Sequence, residues 1–130
     1  MGAEGHGPFD NDDAMDWVAE LADADDDSVL AEALEAVSLD EDEYVEAADA
    51  SVAIAAAEVV AALLDQPADE LPEEVWEYVE RQRGVKPSLV KLARKAVTRV
   101  LKDSELREIW EDSDHFEAWK DSLEDLLSRL

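Results

Sequence analysis

Four aspartates, Asp10, Asp12, Asp13 and Asp16, crowd a single short stretch near the start of the chain, and clustered carboxylates are the groups that hold a hard cation. Calcium wants several oxygens converging at about 2.3–2.6 Å. The calcium-loop pattern of an EF-hand fails here, because Ala14 stands where a third ligand belongs, Met15 takes the glycine position and Leu21 the place of the bidentate glutamate. The expected reading is a hydrated helix start, whose dipole favours acids in the first turn. A metal-dependent enzyme using the Asp10 to Asp16 carboxylates is the alternative.

The imidazoles are His6 and His115. Imidazole is the side chain suited to acid–base chemistry near neutral pH, but neither stands at metal-ligand spacing from other strong ligands or beside a nucleophile, so no catalytic residue is assigned. The chain has no cysteine, which removes disulfides, thiolate zinc sites and a thiol nucleophile together. The glycine-rich start, Gly2 to Pro8, precedes a helix as phosphate-binding loops do. It has no preceding strand and no Gly-Lys-Ser/Thr, and the aspartates after it repel phosphate. No cofactor and no metal follow from these residues.

The bases are better organised. Lys91, Arg94, Lys95, Thr98 and Lys102 fall on one face of a predicted helix whose other face is Leu89, Ala93, Ala96, Val97, Val100 and Leu101. From Arg81 to Arg107 nine bases meet only Asp103 and Glu105, the one basic patch of the chain. Internal neutralisation by acidic helices, or a solvated face, is the expected role. The candidate binding residues are therefore Phe9, Asp10, Asn11 and Asp12 at the end of the glycine-rich arm, and Lys91, Arg94, Lys95 and Lys102.

Helices must position all of these. Asp10 is the expected N-cap of a first helix reaching about Ala24, with Phe9 and Ala14 as a hydrophobic staple and Ala14, Trp17, Val18, Leu21 and Ala22 inward. Ser28 caps a second helix, and Asp40 a long third one whose first turn holds the acids Asp40 to Glu43. The body of that helix, Tyr44 to Leu64, has so little polar surface that it belongs at the centre of the fold. Pro72 starts a fourth helix through about Gln82, with Val75, Trp76 and Val79 inward and Gly84 as its left-handed stop. The basic helix follows from Pro87 or Ser88 to Lys102. Ser104 opens a short sixth with Leu106, Ile109 and Trp110, and Asp114 with Glu117 resembles the capping box of a seventh. No stretch alternates with period two, and no repeat recurs. The fold class is all-α: one domain over residues 1–130, a bundle of six or seven helices around an Ala-rich centre, with residues 1–9 as an arm.

Composition agrees. Of 130 residues 47% are hydrophobic, yet only eight are aromatic, which suits close helix packing more than a bulky sheet core. The formal net charge is −25, from 36 acids and 11 bases, and no lysine or arginine precedes Arg81. The apolar run from Ala47 to Leu64 is interrupted by Asp49 and Glu58 and reads as a buried helix, not a membrane span. The start lacks a basic region followed by an apolar one, so a cytoplasmic protein is expected.

The string Met1-Gly2, Gly5, Gly7-Pro8-Phe9-Asp10-Asn11-Asp12 resembles the opening of a widespread microbial family of small proteins known only as a domain of unknown function. The Ala-rich Ala56 to Leu64 segment, Leu71-Pro72, and Leu106 to Ser113 followed by the Trp119 helix are similar too. Glu4 departs from that pattern, which usually has an aromatic residue there. The resemblance implies a small helical protein without an assigned activity and supplies no catalytic residue.

Three functions compete. A non-enzymatic regulatory or binding module would use the acidic surface to attract a protein partner, a basic one; nucleic acid meets repulsion and no membrane attachment is indicated. Adaptation to high salt explains the same composition, since five lysines against 36 acids make a surface whose self-repulsion salt screens. The metal-dependent enzyme ranks last.

Overall fold

The computed structural model describes residues 9, 11–38, 44–68, 71–82 and 84–130. Among them are seven helices and no strand: α1 (Asp12–Ala22), α2 (Ser28–Ser38), α3 (Ala47–Leu63), α4 (Glu73–Gln82), α5 (Pro87–Lys102), α6 (Glu105–Glu111) and α7 (Phe116–Arg129). The fold is an all-α bundle.

α3 is the axis, and it touches each of the other six helices. Of its 17 residues, 12 are buried, seven of them alanines. Side chains this small let neighbouring helices approach closely, and a helix apolar all round can only be stable when it is covered all round. α2 and α5 pack on α3 and on each other, α1 and α4 pair on another side, and α6 and α7 complete the cover. The core joins Trp17, Leu21, Leu30, Leu34, Tyr78 and Leu126 to the apolar face of α5.

The helix starts correct the sequence reading in several places. α1 is capped by Asn11, whose Oδ1 accepts from the Ala14 amide at 2.8 Å. The expected cap, Asp10, lies outside the described residues. Moving the cap by one residue removes Phe9 and Ala14 from staple register; instead Phe9 packs half-buried on the core. Its helix stops at Ala22, two residues before the expected end.

α3 begins at Ala47 after the non-helical residues Tyr44 to Glu46, so Tyr44 does not belong to it, and Asp40 to Glu43 lie outside the described residues. Its start is held from α6: Glu105 Oε1 accepts from the Ala47 amide at 2.8 Å, and the Glu105 amide donates to Val45 O at 2.9 Å. A carboxylate there also opposes the positive end of the helix dipole. The other end closes in a Schellman turn. Gln66 N donates to Ala61 O at 2.9 Å and Asp65 N to Ala62 O at 3.0 Å, with Asp65 at φ 70°.

In α4 the inward residues are Val75 and Tyr78, while Trp76 is 41% exposed. Tyr78 can be buried because its hydroxyl donates to Asp26 O at 2.8 Å, a partner no local pattern reveals. Gly84, at φ 150°, occupies positive-φ backbone that favours glycine, though not the left-handed helical region proper.

α5 has the expected boundaries and faces. Ser104 caps α6, accepting from Arg107 N at 3.1 Å, but Ile109 is 53% exposed and no residue of α6 is fully buried. The capping box at Asp114 does not form. α7 starts at Phe116 with His115 in the cap position and no side-chain cap, and Ser113 Oγ accepts from the His115 amide at 3.1 Å.

Candidate interaction surfaces

Opposite its buried face, α1 presents Asp12, Asp16, Glu20 and Asp23, all exposed. Their spacing of four, four and three residues keeps them on one line of the helix and its C-cap. None makes an ion pair among the described residues. Asp12 thus stands on an open acidic face. Asn11 is committed to the cap and Phe9 to packing, so these three candidates serve different ends. Asp10 cannot be placed with them.

On α5, Lys91, Arg94, Lys95, Thr98 and Lys102 are exposed opposite the buried Leu89, Ala93, Ala96, Val97 and Val100. Lys91, Arg94, Lys95 and Lys102 make no ion pair among the described residues; Arg94 Nη1 reaches Leu127 O at 3.4 Å. Of the two expected roles, neutralisation by acidic helices or a solvated face, the described residues show these four bases exposed and without acidic partners. Packing directs the apolar face of α5 inward and leaves these bases exposed on its far side.

The bases that do pair are others. Lys86 meets Asp27 at 3.5 Å across an exposed gap, and Arg107 meets Glu111 at 2.8 Å within α6. Arg129 is the densest junction. Its two Nη atoms donate to Glu58 Oε1 and Oε2 at 2.8 and 2.9 Å, its Nε to Asp125 at 2.9 Å, and Nη1 also to Gln66 O at 3.2 Å. The hydrogen bond with Glu58, ahead of the opposing effect of burial, holds the guanidinium above its ordinary pKa. Glu58 is 3% exposed in the middle of α3. The pair clamps α7 to the axis of the fold and was invisible locally, since 71 residues separate its members.

A second junction joins α4 to the loop between α1 and α2. Tyr78, Arg81 and Gln82 donate to the carbonyls of Asp26, Ala22 and Ala24, and Asp25. Backbone oxygens are thus turned inward, leaving Asp25 and Asp26 exposed. Asp26 is held below the usual carboxylate range chiefly by the Ser28 hydroxyl, then by the Ser28 amide. Burial, reinforced by Asp27 and Asp26, pushes the Tyr78 phenol up to about 12. A cleft of about 250 Å³ lies beside this loop, between Leu63, Tyr78, Val85 and Leu89 with Asp27 and Lys86 at its edge.

Tyr44, 58% exposed, donates to Glu108, which raises the phenol to about 12. His115 is exposed at the α7 cap, and His6 lies outside the described residues. Among the described residues no three ligating side chains gather in a way that could hold a metal; Asp12, Asp13 and Asp16 point outward from α1 and do not converge with others. No helix among the described residues is long and apolar enough to cross a membrane.

What this arrangement can do is present charge: an acidic line on α1 and a basic line on α5, each on a helix whose opposite face is buried in the core. Neither a nucleophile with its base nor a ligand cage accompanies them among the described residues.

A protein-family model described as a domain of unknown function, DUF4259, matches residues 2–122. No curated protein and no solved structure matches the chain. The chain belongs to the DUF4259 family.

Proposed function

We propose that this member of a family without an assigned activity is a non-enzymatic macromolecular binding protein that meets a basic protein partner through the outer face of α1. The supporting observation is that Asp12, Asp16, Glu20 and Asp23 are exposed, aligned and without ion pairs among the described residues. A field of this sign accelerates encounter with a basic surface and suppresses acidic competitors. Each exposed pair formed on docking contributes only about 0.2–1 kcal/mol, so specificity comes from several pairs in register on a helix that does not deform. The partner chemistry is a segment carrying lysine or arginine at helical spacing.

A lysine-rich helical peptide titrated by calorimetry tests this. Binding should weaken progressively as salt rises, and Asp12→Asn/Asp16→Asn/Glu20→Gln should abolish it while leaving the helical signal intact. Absence of binding even at low ionic strength sinks the reading.

High-salt adaptation is a second reading, favoured by how few acids find bases among the described residues: Asp27, Glu58, Glu111 and Asp125 do so in ion pairs. It is compatible with the first, because a face that binds by charge in dilute buffer is the same face that salt must screen.

A further inference from the structure

We infer that the α1 face has a basic partner in the chain itself: the α1 face of one copy takes the α5 face of a second. This rests on the reading of α1 as a binding surface and adds the identity of the partner. The acidic line runs through positions 12, 16, 20 and 23, the basic line through 91, 95, 98 and 102, so both occupy the same number of residues and span ~16 Å of helix. Both lie opposite the buried face of their helix, and none of their charged members makes an ion pair among the described residues.

Placed antiparallel, the orientation that helix dipoles favour, the lines bring Asp12 opposite Lys102, Asp23 opposite Lys91, and Glu20 next to Lys95 and to Arg94 beside the line. Asp16 then faces Thr98, whose hydroxyl can donate to it, with Lys95 one turn away. Within one molecule these faces are not in contact, since α1 packs against α2, α3 and α4 only. The partner must therefore be another copy. The obstacle is the net charge of −25 on each copy. In about 0.5 M salt the Debye length falls to about 4 Å, which screens that long-range repulsion more completely than contacts between touching groups.

Sedimentation in about 0.5 M potassium chloride tests this with two exposed-face variants, each checked for helicity. Wild type should self-associate with rising concentration. Lys91→Glu/Lys95→Glu/Lys102→Glu and Asp12→Lys/Asp16→Lys/Glu20→Lys should each weaken association by about tenfold or more, and an equimolar mixture of the two should restore it. The second variant decides most, because it makes the chain less negative: general charge repulsion predicts stronger association, and the α1 to α5 contact predicts loss. Association of that variant at wild-type strength, or failure of the mixture, overturns the inference. A wild type that stays monomeric yet binds the lysine-rich peptide overturns self-recognition and leaves the binding reading standing, whereas loss of both removes both.

Discussion

Arg129 concentrates more of the specific bonding of this protein than any candidate drawn from the sequence. Its carboxylate partner Glu58 is buried on an otherwise apolar stretch of α3, and a buried charge that loses its partner costs about 3–5 kcal/mol. Arg129→Met is expected to destabilise by that order in urea unfolding. The double variant Glu58→Met/Arg129→Met should recover most of the loss, because no uncompensated charge then remains. Equal stability of the single and double variants would show that the clamp acts through packing alone.

Tyr78 makes a pH prediction. Its folded pKa, about 12, stands above the ordinary value of about 10, so the folded state keeps its proton longer than the unfolded chain does. The corresponding stability is fully present below about pH 10 and is lost as pH rises toward 12. Tyr44 adds to the same window through its bond with Glu108. Tyr78→Phe should lose about 0.5–1.5 kcal/mol with its bond to Asp26 O and flatten the alkaline decline of stability. An unchanged slope between pH 10 and 12 would contradict the assignment.

At the scale of elements, local chemistry and tertiary contact divide the work unevenly. α5 could be read directly, because Pro87 sets its first turn and its two faces separate at helical spacing. Ser104 as a cap was equally readable, its acceptor being three residues from its donor. The start of α3 was not, since the carboxylate that holds Ala47 comes from Glu105 on α6, and the inward turn of α4 depends on a carbonyl 52 residues away. The end of α3 carries one strained position. Asp65 sits at φ 70°, where an L residue costs about 1–2 kcal/mol. Asp65→Gly should therefore raise stability by roughly 0.5–1 kcal/mol after the entropy of a freer unfolded chain is subtracted, a gain visible as a higher urea midpoint with an unchanged slope.

Across the whole molecule, charge and core act in opposite senses. An Ala-rich axis covered on every side supplies the cohesion, and a formal −25 opposes compaction by self-repulsion. If the surface is built for salt, helicity and melting temperature should both rise steeply as potassium chloride is added, because screening shortens the range of that repulsion to about 3 Å at 1 M. A flat titration followed by circular dichroism would count against salt adaptation while leaving the binding face on α1 untouched. The −25 and the absence of bases before Arg81 were open to inspection from the start, but the direction of the asymmetry was not. The α5 stripe was expected either to meet acidic helices or to stand as a solvated face. In the bundle Lys91, Arg94, Lys95 and Lys102 are exposed, without ion pairs among the described residues.

Class of fold, a count of six or seven helices, the central place of α3 and the two faces of α5 follow from periodicity and capping, which are interactions between residues a few positions apart. Which buried acid meets which base, which aromatic turns inward on α4 and where the charged faces look were decided only by the packed bundle. The reason is physical: a hydrophobic period names the face a helix must bury but not the neighbour it buries it against. Every long-range contact that mattered here, Glu58 with Arg129, Glu105 with Ala47, Tyr78 with Asp26, depends on that choice of neighbour.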